Sequence, residues 1–474
     1  MAGDKLVKGI VSTIGKEKVV TDPSIIKLYS REPSGYTARE LPLAVVFPET
    51  VNDVSKLVSY AYKNDVKIYP QGSTTSLAGS AVPLNGGVVL SMERMDSVVE
   101  TSVPDSYTIA EAGVRIDELN NYLASYGYMF PVDPASSAVA TVGGAVNSGA
   151  GGMRGAKYGT MKDWVLGLQI VLPDERGTQM WIGCRTLKCR QGYDLTRLII
   201  GSEGTLAIVT RSILKITPLP ESVVTALAFF PTLEQLSQTA VDIKNSGIQP
   251  YIMEFLDEKT TQAAMELADT SIKGSGAMLL VSIDVNREAT RRMLSWLVKV
   301  LENNSATAVY TAETIEEAEG KGLFDVRRSL FPAQNYLSRK ILGIGNPMIY
   351  IEDIAVPPSK LVDAVREIAR LEEKYGLPTF MGGHISDGNL HPAVGFDPGN
   401  RDMASKVEEW FYDLMRIAIS LGGTISSEHG IGLMKKKGLE MELEAHGAGM
   451  MIGIMKKIKL AFDPKNILNP GKVV

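Results

Sequence analysis

Cysteine is nearly absent: Cys184 and Cys189 are the only two in 474 residues. Two thiols exclude both a disulfide framework and an iron–sulfur cluster ligated by this chain alone. Their C-x4-C spacing, in a Gly, Arg and Lys context, reads as incidental. An excess of positive charge is also lacking. Against 54 Asp and Glu stand 49 Lys and Arg, for a formal net charge of −5. That leaves no basic footprint for nucleic acid and no polybasic membrane patch. No run approaches the ~20 apolar residues of a membrane-crossing helix, and Met1–Lys18 shows no presequence pattern. The expected compartment is the cytosol. What is present, 45% hydrophobic and 22% charged residues, is ordinary for a globular protein. The length exceeds what one core usually serves, so two or three domains are expected.

Histidine is scarce too, and its placement is informative. Of four histidines, two fall in Gly382-Gly383-His384-Ile385-Ser386-Asp387-Gly388-Asn389-Leu390-His391. Asp-Gly between short β-competent segments signals a two-residue hairpin turn. Folding about it pairs Ser386 with Asn389, Ile385 with Leu390 and His384 with His391. Opposed residues share a face, with Cβ atoms roughly 4.5–5.5 Å apart. Such imidazoles can chelate one divalent ion, or can simply flank a turn. His429 lies in Ser426-Ser427-Glu428-His429-Gly430-Ile431-Gly432, where Glu428 offers a carboxylate. A His/His/Glu set with an open position suits catalytic Zn²⁺ or a similar ion, with Mn or Fe as alternatives.

Along the chain, residues 1–40 read as short helices, one started by Asp22-Pro23-Ser24. Leu43–Phe47, Val51–Asn64 and Val66–Tyr69 form a strand, helix and strand. From the last strand emerges Pro70-Gln71-Gly72-Ser73-Thr74-Thr75-Ser76, rich in backbone N–H groups and hydroxyls that can cradle a phosphate. Asp133–Gly159 is the most glycine-dense region, where backbone can lie against a large flat ligand. Neither the Gly-x-Gly-x-x-Gly nor the Gly-x4-Gly-Lys-Ser/Thr fingerprint occurs there. A dinucleotide would therefore be bound without a Rossmann turn. Pro218-Leu219-Pro220 marks a boundary. Beyond it come strands at Thr225–Phe230, Tyr251–Leu256, Ala277–Val285 and Met348–Val356. Long helical patterns cover Ile315–Leu342, Leu361–Tyr375 and Met403–Leu421.

At Pro70–Pro83, Asp133–Gly159 and Gly201–Thr210 the chain resembles the FAD-binding domain of PCMH-type (vanillyl-alcohol-oxidase superfamily) flavoproteins. Gly382–His391, Ser427–Gly432 and Phe462–Gly471 look like the FAD-linked oxidase C-terminal domain. More narrowly, the chain is similar to the group of glycolate oxidase FAD subunits, D-lactate dehydrogenases and D-2-hydroxyglutarate dehydrogenases. The resemblance implies an α+β protein in three parts. These are an N-terminal helical segment (1–40), a two-subdomain FAD-binding domain (41–218), and an α+β substrate or cap domain with an antiparallel sheet (219–474).

Residue roles carry over by motif. FAD would be held by Gln71, Gly72, Ser73, Thr74, Thr75, Ser76, Pro134, Gly143, Gly144, Ser148, Gly151, Gly152, Glu203, Gly204, Ile208 and Asn469. His384, His391 and Glu428 match the metal ligands, and His429 the general base. Arg327, four residues before Phe331-Pro332-Ala333, matches the substrate-carboxylate clamp, with Arg328 adjacent. No histidine precedes residue 384, so the histidyl-flavin link of some relatives has no residue in the FAD-binding domain, and non-covalent FAD is expected. The first loop reads Gln71-Gly72-Ser73 where Arg/Gln-Gly-Gly is usual. Relatives that take 2-hydroxyglutarate carry polar residues where Phe331, Ile351 and Ala393 stand here, so D-lactate or glycolate is favoured.

The implied activity is oxidation of a small D-2-hydroxy acid to the 2-oxo acid. With no cysteine cluster, electrons would leave for a separate acceptor: an Fe–S subunit, a quinone, a cytochrome or an electron-transfer flavoprotein. Any membrane association would come through that partner, and a homodimer is compatible with the sequence. The alternatives are an FAD-binding relay subunit of a larger complex, or an oxidase of another alcohol on the same fold.

Overall fold

The computed structural model describes residues 2–268 and 270–474. They form two compact units. One comprises the chain through residue 152, then 159–219 and 428–474; the other comprises 153–158 and 220–427.

In the first unit, Ala44–Val46, the helix Val51–Lys63 and Ile68–Gln71 make a β-α-β element. The helix starts there because Thr50 and Asp53 close a reciprocal capping box, satisfying N–H groups the first turn leaves over. Its apolar positions Val54, Leu57, Val58 and Ala61 recur at helical spacing, and all four are fully buried. The strands lie in a four-stranded sheet ordered Val19–Val20, Ala44–Val46, Val88–Ser91, Ile68–Gln71. The first pair is antiparallel and the rest are parallel. A five-stranded antiparallel sheet follows, ordered Val98–Ser102, Tyr107–Glu111, Ile208–Lys215, Val165–Val171, Gln179–Gly183.

The C-terminal motif closes this unit. The Asp463 carboxylate, fully buried, accepts from the Ile467 and Leu468 N–H groups and from Lys459. That turn presents Ile467 O to the Ile68 N–H and the Asn469 N–H to Ile68 O. Ile467 and Leu468 thereby enter the core cluster around Val54, Leu57 and Leu90.

The second unit is built on an antiparallel sheet. Its order is Ala308–Ala312, Ser222–Phe230, Ala277–Val285, Ile252–Leu256, Thr379–His384, Asn389–Phe396, Met348–Ile351, with Ile354–Ala355 also on Asn389–Phe396. The outer strand Ala308–Ala312 was not expected from sequence. The helical pattern at 315–342 is broken into Ile315–Gly320, Asp325–Arg328 and Leu330–Leu342. Gly322 at φ +68° ends the first piece, and Pro332 lacks the N–H a continuous helix would need, so it is tolerated only in a first turn.

The two cysteines are bonded, not incidental: Cys184 and Cys189 form a disulfide across a sequence separation of five. It staples the exposed loop that follows Gln179–Gly183, a return of the backbone that spacing cannot show. Loop entropy assigns such a small ring about 2 kcal/mol. Reduction with dithiothreitol is expected to open tryptic cleavage at Arg185 and Lys188, read by mass spectrometry. Identical digests with and without reductant would contradict the staple.

Candidate active site

A cleft of about 240 Å³ opens in the first unit. The loop Gln71–Ser76 lines it, together with Pro134, Gly143, Gly144, Ser148, Gly151, Glu203, Gly204, Ile208, Glu428 and His429. Gly152 and Asn469 are not among the lining residues. The Asn469 side chain donates to Ser80 O and Glu203 O, bracing two lining segments. Thr141 and Asn147 line the cleft without having been anticipated.

Local chemistry explains this wall. The short helix Val142–Ser148 begins at Thr141, whose hydroxyl accepts from the Gly144 N–H. A Cβ on Gly143 would sit 2.6 Å from Ala112 Cβ and 2.9 Å from Ala112 O, so only glycine lets the helix approach the sheet this closely. The FAD group can be tested against what is exposed. Gln71 Oε1 and Asn147 Oδ1 are buried acceptors without a protein partner, and buried polar atoms are seldom left so. Glycine backbone, hydroxyls and two orphaned acceptors in one cleft fit a dinucleotide.

Glu203, anticipated as a cofactor contact, is also a brace. Its carboxylate accepts from the Ile431 N–H (2.7 Å) and the Gly432 N–H (2.9 and 3.0 Å), two and three residues past His429. Burial pushes its pKa up to about 7. Burial also depresses Lys472 to about 8 and raises Glu32.

In the second unit the histidine hairpin departs from the expected register. His384 stands opposite Asn389, and Gly382 opposite His391, so the connection is a four-residue turn, 385–388, not a two-residue one. The shift is by two residues. Because side chains alternate with period two, a two-residue slip preserves the face. The imidazoles are therefore diagonal neighbours on one face, ring centroids 5.1 Å apart and perpendicular. His384 Nδ1 lies 2.5 Å from Glu254 Oε1, and His391 Nδ1 lies 3.2 Å from Glu352 O. A carboxylate and a carbonyl can only accept, so both Nδ1 atoms carry the proton and Nε2 becomes the ligating atom of each ring. This is the outer-shell arrangement typical of metal-binding histidines.

Asp353, also unanticipated, holds the other expected ligand segment. Fully buried, it accepts from Asn389 Nδ2, Ser426 Oγ, the Ser427 N–H and Ser427 Oγ. Glu428 is the next residue in the chain. A divalent ion fits the donor chemistry of two Nε2 atoms and a carboxylate.

The two adjacent arginines separate cleanly. Arg328 pairs at the surface with Glu319 and Asp325. Arg327 turns inward onto Glu254 Oε2, at 2.8 Å from Nε and 2.7 Å from Nη2.

A glycine-lined cleft in one unit and a histidine–arginine cluster on the antiparallel sheet of the other make a protein of two parts. The chain belongs to the FAD-linked oxidases: residues 42–182 match the family "FAD binding domain" and 219–473 match "FAD linked oxidases, C-terminal domain". It is 37% identical over 436 residues to the glycolate oxidase subunit GlcD of Bacillus subtilis, covering 92% of this chain and 89% of that one. It is 34% identical over 435 residues to the D-lactate dehydrogenase of Archaeoglobus fulgidus, covering 91% of each. Among solved structures, substrate-bound p-cresol methylhydroxylase superposes with TM-score 0.78 at 17% identity, over 99% of this chain and 96% of that one. No helix among the described residues is long and apolar enough to cross a membrane.

Proposed function

We propose that this protein oxidises a small D-2-hydroxy acid, D-lactate first and glycolate second, to the 2-oxo acid, and passes the electrons to a separate acceptor. The observation that carries the reading is the pair of same-face imidazoles whose Nδ1 atoms are both engaged by acceptors. Relatives named for glycolate and D-lactate support it.

In this reading Arg327 presents a permanently charged, forked donor to the substrate carboxylate. His429 takes the hydroxyl proton as general base. His384, His391 and Glu428 are the ligands of a divalent ion, zinc by donor type. When bound, such an ion supplies a Lewis acid that lowers the hydroxyl pKa and orients the substrate. The Gln71–Ser76 loop and the Gly143–Gly144 helix start hold FAD, which supplies the hydride acceptor. Phe331, Ile351 and Ala393 offer no partner for a second carboxylate, which favours a monocarboxylate.

The test is anaerobic absorption spectroscopy of the FAD-loaded protein with D-lactate, L-lactate, glycolate and D-2-hydroxyglutarate added separately. D-lactate or glycolate is expected to bleach the flavin band, and chelator pretreatment to abolish the bleaching. Bleaching that survives metal removal would rule out the metal's role but keep the dehydrogenase. No bleaching with any acid would favour the relay-subunit reading, which the word "subunit" in one relative's name also suggests.

A further inference from the structure

Glu254 sits in Ile252–Leu256, a strand whose other side chains are apolar and buried. A fully buried carboxylate there costs several kcal/mol unless it is paired and hydrogen-bonded. Strand register sets it opposite His384. Each of its oxygens has a different partner. Oε1 takes the His384 Nδ1 proton at 2.5 Å, and Oε2 takes the Arg327 Nε and Nη2 protons at 2.8 and 2.7 Å. Among the described residues, Arg327 has no other acceptor.

We propose that Glu254 is a positioning residue joining the two halves of the substrate site. One carboxylate fixes the His384 tautomer, so that Nε2 is the ligating atom. The same carboxylate grips one edge of the Arg327 guanidinium and turns the Nη1 edge toward the substrate carboxylate. Because both partners share one rigid group on a central strand, the ligating nitrogen and the carboxylate clamp are held at a set separation. That matches a substrate whose hydroxyl and carboxylate sit on adjacent carbons. The inference rests on the functional reading above. The sequence signal was a lone acid within Ile252-Met253-Glu254-Phe255-Leu256.

The test uses the FAD-loaded full chain, Glu254→Gln and Glu254→Asp. Gln keeps the shape, but its amide offers an acceptor to only one of the two partners. Zinc binding by equilibrium dialysis is expected to weaken about 10-fold or more in Glu254→Gln, and KM for D-lactate to rise with it, while FAD content stays unchanged. In wild-type protein carrying ¹⁵N-histidine, the resonances lost in His384→Asn are expected to report a single Nδ1–H tautomer. Zinc affinity and KM both within threefold of wild type in Glu254→Gln would overturn the proposal. If neither variant folds, the wild-type spectrum decides: an Nε2–H tautomer at His384 overturns it and the Nδ1–H tautomer supports it. Failure of the underlying reading looks different, since the wild type itself would then neither bind zinc nor be bleached by any 2-hydroxy acid.

Discussion

Replacing His429 with asparagine is expected to slow reduction of bound flavin by D-lactate by about 10²- to 10⁴-fold, the usual contribution of a positioned general base. His429 lines the cofactor cleft beside Glu428 and is half-buried. Its backbone is set by Glu203, whose carboxylate binds the N–H groups of Ile431 and Gly432. Asparagine keeps the size and a hydrogen-bonding tip but cannot take a proton near neutrality. FAD content and zinc content should remain those of the wild type. Glu428→Gln should do the opposite and lose zinc before it loses anything else. Rapid-mixing absorption under anaerobic conditions reads the first effect and elemental analysis the second. A rate within tenfold of wild type in His429→Asn would remove it from the proton-transfer role.

The second large effect concerns pH and Glu203. Its folded-state pKa, raised by burial to about 7 from an ordinary 4.5, means that the folded chain holds this proton longer than the unfolded chain. Stability is therefore full below pH 4.5 and is lost as pH rises through about 7. The difference amounts to about 3 kcal/mol at 1.36 kcal/mol per unit. Lys472, depressed by burial to about 8, acts above that value and in the opposite sense, and Asp257, raised by burial to about 6, acts in the same sense up to that value, so the clean window is pH 6 to 7.5. Urea unfolding followed by flavin release should show wild-type stability falling across that window. Glu203→Gln, which cannot ionise, should lose less than half as much, the remainder coming from Glu32 and from the upper end of the Asp257 titration, both raised by burial. An unchanged slope in the variant would show that Glu203 is not the titrating group. At pH 5 the variant should be the weaker protein, because an amide nitrogen faces donors where a carboxyl oxygen accepted two.

The local elements of this protein were largely legible in its sequence. Val54, Leu57, Val58 and Ala61 announce a helix because 3.6-residue periodicity needs no knowledge of what the helix packs against. Asp22 announces a start because capping is local hydrogen bonding. The Gln71–Ser76 loop, the Gly143–Gly144 pair and the His384, His391 and Glu428 motifs were visible as residue types in short windows. What depended on distant partners was not visible. The histidine hairpin slipped by two residues because the turn alone does not fix register, whereas pairing with Ile252–Leu256 and Met348–Ile351 does. The expected long helix broke at Gly322 and Pro332, where an otherwise periodic pattern hid the stop. The cysteine pair closed because a surface loop returned on itself. Glu254 and Asp353 looked like ordinary acids until the sheet set them against His384, Arg327, Ser426 and Ser427. Sequence determined which chemical groups this protein has and where each segment turns or coils. Only the tertiary structure decided which buried carboxylate meets which donor, because desolvated charges choose partners through space and not along the chain.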